Sequence, residues 1–173
     1  MGLFTSLALN SFDDLLVEQL QDLYDAEQRL TKALPQMAAA ANSPSLKSAF
    51  QEHFQQTENH VSRLEQVFKL LGKTAQSKTC DAMKGLISEG NEVATATGDP
   101  NVKDAALIAA AQRVEHYEIS GYGSVRTFAQ RLGRNDAARL LQQTLDEEAN
   151  TDKKLTELAE QFINPRAAAT AGK

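Results

Sequence analysis

The sequence predicts an all-α protein: a bundle of four long helices with a short extra helix in the connection between the second and third. Three observations lead there. Apolar residues recur every three or four positions through four stretches of similar length. The composition is helical, rich in Ala, Leu, Glu and Gln, with only four prolines and nine glycines in 173 residues. Strand-like runs of β-branched residues are missing. The length suits a single domain over residues 1–173, with an ordered core at about 11–163.

The first stripe is Leu16, Leu20, Leu23, Leu30, Leu34, Met37 and Ala41, beginning near the capping candidates Asn10 and Ser11. It predicts a helix over about 12–41, and Pro35, which lacks a backbone donor, is expected to kink or divide it. After the break Asn42-Ser43-Pro44, the line Leu46, Phe50, Phe54, Val61, Leu64, Phe68 and Leu71 predicts a second helix over about 44–71, ended by Gly72. So short a connection makes the pair antiparallel. A polar stretch, 73–79, precedes a short periodic segment over 80–97 containing Met83, Leu86, Ile87, Val93 and Ala94. Gly98-Asp99-Pro100 closes that segment.

The third long helix runs from Val102 to Leu132 with Leu107, Ala111, Val114, Ile119, Tyr122 and Val125 on one side, and Gly133 ends it. The fourth, about 135–162, carries Ala137, Leu141, Leu145, Leu155, Leu158 and Phe162. Pro165 is expected to stop it and leave the tail RAAATAGK frayed. Four helices of roughly 27–31 residues, about 40–45 Å each, pack side by side. Two hairpins joined by a long crossover is ferritin-like connectivity, distinct from an up-down bundle with three short loops.

Charge and cysteine content remove several function classes. Eighteen basic against twenty-three acidic residues give a net charge of −5, so no basic field gathers phosphates and nucleic acid is not expected as a partner. A hollow-shell DNA protector is disfavoured on the same ground. The lone cysteine, Cys80, makes no internal disulfide and no thiolate metal site, which fits a reducing, cytoplasmic compartment. No apolar run approaches the ~20 residues of a membrane span, and the N-terminus lacks the basic start and cleavage pattern of a signal peptide. Met1-Gly2 with Ser6 matches a myristoylation pattern, one short enough to arise by chance.

The informative residues are acids inside apolar stripes. Glu27 occupies the slot where a leucine would keep the period between Leu23 and Leu30, and Glu148 does the same between Leu145 and Leu155. Glu115 and Glu118 are i, i+3 neighbours on the side of Ala111 and Tyr122. The apolar face of the second helix also presents His53, Thr57 and His60, with Gln56 one turn beyond His53. Buried carboxylates cost several kcal/mol unless paired or coordinated, and no inward Lys or Arg stripe is available to pair with these.

Helical dimetal sites draw on such a set, and oxygen-rich ligation with imidazole suits iron or manganese. Glu27 and Glu148 then supply single carboxylates, with His53, Glu115 and Glu118 filling the remaining positions. Against this, any one of these acids can sit at a stripe's edge in water, and solvated-face residues are the default for Glu147 and Asp152, with a second-sphere role the less favoured alternative. His60 alone reads as a polar core or surface histidine. Tyr24 and Tyr122 read as core aromatics whose hydroxyls seek a partner, or as second-sphere groups beside a metal.

The segments DLYDAEQRLTKALPQMA, FQEHFQQTENHVSRLEQVF, KDAALIAAAQRVEHYEISGYG and LLQQTLDEEANTDKKLTELA resemble the bacterial YciE/YciF family of ferritin-like, stress-associated proteins, over about residues 11–162. AALIAAAQRVEHYEI is the most specific part. The resemblance implies a homodimer distantly related to rubrerythrin, with a centre of two divalent ions, iron foremost and manganese or zinc as alternatives. By position, that centre falls on Glu27, His53, Glu115, Glu118 and Glu148, with Gln56, His60, Tyr24, Tyr122 and Asp152 as weaker or second-sphere members. One residue departs from the pattern: Gln56 stands where family members commonly have Glu, which weakens one metal position. Peroxidase or ferroxidase chemistry would need an external reductant, since one cysteine builds no rubredoxin-type relay. The alternative is a non-catalytic helical dimer with a structural or interaction role.

Overall fold

The computed structural model describes residues 7–169. Its helices are α1 (Phe12–Ala40), α2 (Pro44–Leu70), α3 (Asp81–Thr95), α4 (Pro100–Arg131), α5 (Asn135–Leu158) and α6 (Asn164–Ala168), the last two joined by a π-helical turn, Ala159–Ile163. Among the described residues there is no strand, and no helix is long and apolar enough to cross a membrane.

Local chemistry sets the boundaries. Ser11 Oγ accepts from the Asp14 amide at 3.0 Å, so α1 starts on a side-chain cap. Pro44 and Pro100 occupy first turns, where a missing N–H costs nothing, and Asp99 caps α4 through the amides of Asn101 and Val102. Gly72 and Gly133, at φ of 69° and 70°, end α2 and α4 in the left-handed region that only glycine enters freely.

Two expected breaks are absent. Pro35 does not divide α1, which runs unbroken from Phe12 to Ala40; the proline is exposed, so the carbonyl it leaves without a helical donor faces solvent. The C-terminal helix does not end at Pro165 either. The π-helical turn shifts the register, buries Ile163 in place of Phe162, which is 49% exposed, and puts Pro165 in the first turn of α6, where it is tolerated. Residues 166–169 are therefore not a frayed tail. Residues 170–173, and the Met1-Gly2-Ser6 pattern, lie outside the described residues.

The arrangement is ferritin-like. α1 packs on α2 and α4 on α5, each an antiparallel hairpin, while α1 also packs on α4 and α2 on α5. The crossover runs back along α1: Lys78 N donates to Gln21 O at 3.1 Å and Cys80 N to Asp25 Oδ2 at 2.8 Å. Further along, Gly90 of α3 faces Met37. This return path brings α4 in parallel to α2. Asp104, buried on α4, then ties the turn between α1 and α2, accepting from the amides of Asn42 and Ser43 at 2.7 Å each.

Two apolar clusters fill the bundle. Leu30, Leu34, Phe50, Leu107 and Leu155 belong to the one nearer the α1–α2 turn, and Leu16, Leu20, Leu64, Phe68 and Leu141 to the other. The buried ionisable residues of the interior lie at the level between them. Asp104→Ala removes both amide acceptors and is expected to destabilise the fold by about 2–4 kcal/mol in urea unfolding at fixed metal content. An unchanged midpoint would mean water satisfies the two amides.

Candidate metal centre

Each bundle helix contributes to one level because its polar positions fall in phase with its apolar stripe. On α2, His53, Thr57 and His60 follow at four and three residues and so share a face. α1 brings Glu27, α4 brings Glu115 and Glu118, and α5 brings Thr144 and Glu148. All eight side chains are at most 2% exposed.

The ligand-type atoms fall into two groups, each within 4.8 Å: His53, Glu115, Glu118 and Glu148 in one, Glu27, His60 and Glu148 in the other. Glu148 belongs to both, with Oε1 2.9 Å from His60 Nδ1 and Oε2 3.7 Å from His53 Nε2. His53 Nε2 is also 3.3 Å from Glu115 Oε1, and His60 Nδ1 is 3.3 Å from Glu27 Oε1. Apart from the His60–Glu148 ion pair at 2.9 Å, His53 Nε2, His60 Nδ1 and the Glu148 oxygens have no well-aligned hydrogen bond, and both oxygens of Glu118 lack a partner altogether. Glu27 Oε2, Glu115 Oε2 and Thr57 Oγ1 are equally unpartnered, and Arg126 Nε is the one such buried atom elsewhere among the described residues. Native interiors rarely leave buried polar atoms unpaired. Carboxylate oxygens and imidazole nitrogens crowded together with so few well-aligned bonds among them fit a pair of hard or borderline cations.

The electrostatics express the same crowding. Burial, with Glu148 alongside, holds the Glu115 carboxyl well above the usual carboxylate range, and burial with Glu27 and Glu148 does so for Glu118. Glu27 is raised chiefly by burial, with His60 opposing. For Glu148 burial also pushes upward, but the two imidazoles outweigh it and the net direction is down. Burial disfavours the His60 cation, yet Glu148 and Glu27 push its pKa up to about 10.

The weaker candidates divide. Tyr122 is buried, and its hydroxyl donates to Glu27 Oε1 at 2.6 Å, fixing that carboxylate. Gln56 places its Oε1 3.4 Å from His53 Nδ1, the ring nitrogen other than the one facing Glu115. Asp152 accepts from Gln112 Nε2 at 3.0 Å on the α4–α5 seam. Tyr24 is not at the site, because its hydroxyl donates to Glu65.

From sequence alone Glu147 is a solvated-face residue by default, with a second-sphere role less favoured, and its pairing with Arg63 is not foreseen. Glu147 takes both terminal nitrogens of Arg63, at 3.0 and 3.1 Å, and its Oε2 is 2.7 Å from His60 Nε2. This carboxylate on one imidazole nitrogen turns the other nitrogen inward, the usual outer support of a metal-ligating histidine. The available signal was Arg63 one turn after His60, opposite an acid adjacent to Glu148; it becomes readable only once the register of α2 on α5 is known.

The chain was compared with known proteins. A family described as a domain of unknown function, DUF892, matches residues 11–168. Protein YciF of Escherichia coli (strain K12) is 44% identical over 160 residues, 92% of this chain and 96% of YciF. The crystal structure of that stress protein superposes with a TM-score of 0.87, covering 90% of this chain and 99% of the other. YcfI from Rhodopseudomonas palustris gives 0.85 at 42% identity, covering 88% and 98%. A protein from Xanthomonas campestris pv. campestris shares the fold at a TM-score of 0.74 and 20% identity, covering 92% and 99%.

A pH dependence follows for the metal-free protein. Glu27, Glu115, Glu118 and His60 all have folded pKa values above their unfolded ones, so the stability each contributes is complete below the unfolded value and is lost as pH rises through the folded one. For His60 that window runs from 6.5 to about 10. Glu147 and Glu148 act in the opposite sense, their contribution being lost only as pH falls below 4.5. The melting temperature of chelator-treated protein is expected to fall steadily between pH 6.5 and 10, measured by calorimetry. A flat or rising profile would contradict the assignment.

Proposed function

We propose, from the premise that this chain belongs to the DUF892 family, that it is a ferritin-like dimetal carboxylate protein of the bacterial stress response. It holds two divalent ions, iron foremost, with manganese or zinc as alternatives. The observation that carries the reading is the set of buried, unpartnered ligand atoms in two groups that share Glu148. Similarity to the E. coli stress protein YciF supports the physiological setting.

In this reading Glu27, His60 and Glu148 hold one ion, and His53, Glu115, Glu118 and Glu148 hold the other. Bound iron supplies one-electron chemistry toward peroxide or dioxygen. The protein's own part is to fix the donors and keep water out. Tyr122 donates its hydroxyl proton to Glu27 and orients that carboxylate. Glu147, held by Arg63, engages His60 Nε2 and leaves Nδ1 for the ion. Bound ions would favour the deprotonated forms of Glu115, Glu118 and His60, whose pKa values are all raised in the metal-free protein. Electrons come from an external reductant, since Cys80 is the only cysteine. We place the protein in the cytoplasm as a homodimer.

The second reading is a non-catalytic dimer with a structural or interaction role. It is favoured by Gln56, a neutral amide beside His53, and by YcfI of R. palustris, which is provisionally described as structural.

Anaerobic titration of ferrous or manganous ion at neutral pH separates the two readings. Two ions per chain are expected, and absence of saturable binding would leave only the second. Glu118→Leu sharpens the test, because both Glu118 oxygens are unpartnered and no neighbour loses a hydrogen bond on replacement. The metal-free variant is expected to be more stable by about 1–3 kcal/mol while one ion is lost. A variant that keeps both ions would show that Glu118 is no ligand.

A further inference from the structure

We propose that the apolar pocket between α1, α3 and α4 is the access path and docking place of dioxygen at this centre, so that the oxidant the site takes is an uncharged apolar diatomic. The inference rests on the metal reading above for its chemistry, but the pocket is a feature of the chain alone. It has a volume of about 30 Å³, with Ala33, Met37, Ile87, Gly90, Ala111 and Val114 in its wall. Glu115, a member of the first ligand group, is the one ionisable residue of that wall. Glu115 thus belongs both to the pocket wall and to the candidate centre.

A second void adjoins it on the outer side. A wider cleft of about 290 Å³ between α1 and α3, walled by Asp25, Arg29, Lys32 and Lys84, shares Ala33, Ile87 and Asn91 with the inner pocket. In this proposal a solute enters by the charged cleft, crosses the shared wall of Ala33, Ile87 and Asn91, and reaches Glu115 through the apolar chamber. A chamber of this size holds one small molecule, and apolar chambers favour gases such as xenon over water, which needs two or more polar partners. Hydrogen peroxide has the same need and gains nothing from such a wall.

Gly90 indicates that the space is kept open. It is buried in the middle of α3, where glycine is a poorer helix former than alanine. A Cβ there would meet only Met37 Sδ, at 3.8 Å, an ordinary contact. Neither helix geometry nor packing calls for glycine, and a larger side chain at this position would fill the pocket. α3 is also lightly anchored, with Met83 and Gly90 its buried residues.

The reaction served balances simply: two ferrous ions give one electron each, dioxygen takes both with two protons, and hydrogen peroxide leaves. The test has two arms, each on wild type, Gly90→Ala and Gly90→Leu. In the first, metal-free proteins are studied by xenon-129 NMR and in xenon-pressurised crystals. Xenon is expected in the wild-type pocket and absent from Gly90→Leu. In the second, ferrous-loaded proteins of equal metal content are mixed with dissolved dioxygen or with hydrogen peroxide. Oxidation by dioxygen is expected to slow at least about tenfold in Gly90→Leu, while the peroxide rate changes by less than about twofold. Gly90→Ala should give the same ordering with a smaller change, which covers disruption of α3 by leucine. No xenon in the wild type, equal dioxygen rates, or parallel loss of both rates would overturn the proposal. Absence of ferrous binding with xenon still in the pocket would instead overturn the metal reading and leave the gas site standing.

Discussion

Four carboxylates and two imidazoles share one level of a helical interior with almost no exposed surface, and the repulsion and lost hydration of that layer constrain everything around it. Isolated buried charges of this kind cost several kcal/mol each even after relaxation. The metal-free chain lessens the cost because burial and like charge favour the neutral forms of Glu115 and Glu118, while Glu27 and Glu148 favour the His60 cation between them. Two divalent cations would remove it more completely, neutralising the carboxylates and giving each unpartnered atom a ligand bond.

The rest of the bundle is arranged to hold that layer. Apolar clusters on either side of it supply the cohesion that the polar level lacks. Close helix approach matters here: a Cβ on Gly121 of α4 would come within 2.8 Å of Leu23, one turn of α1 from Glu27. The crossover lies along α1, tied to it through Asp25, and Asp104 fixes the far turn. Glu147 and Arg63 sit at the half-buried edge of the α2–α5 seam, where an ion pair can be partly hydrated and still orient His60.

Much of this was legible in the sequence, for a definable reason. The helices were found within a few residues because their stripes are long and regular, and the crossover because its segment was too short to be a bundle member. Glu27 and Glu148 announced themselves by interrupting leucine periods, and Glu115 with Glu118 by sharing a face. What depended on register between helices was not legible. His60 reads alone as an ordinary polar residue, and only α5 lying beside α2 brings Glu147 and Glu148 to its two nitrogens. Gln56 similarly faces the outer nitrogen of His53, a distinction that helical spacing cannot make. The π-helical turn near Ile163 was invisible because an extra residue in a turn leaves no periodic trace until the stripe beyond it shifts.

The central claim is that the buried layer is a binding site for two cations. Anomalous scattering from crystals grown with manganous ion tests this most directly. Two peaks about 3.5–4 Å apart, one among Glu27, His60 and Glu148 and the other among His53, Glu115, Glu118 and Glu148, are the expected result. A layer without anomalous density, its carboxylates hydrogen-bonded to one another or to ordered water, would contradict it.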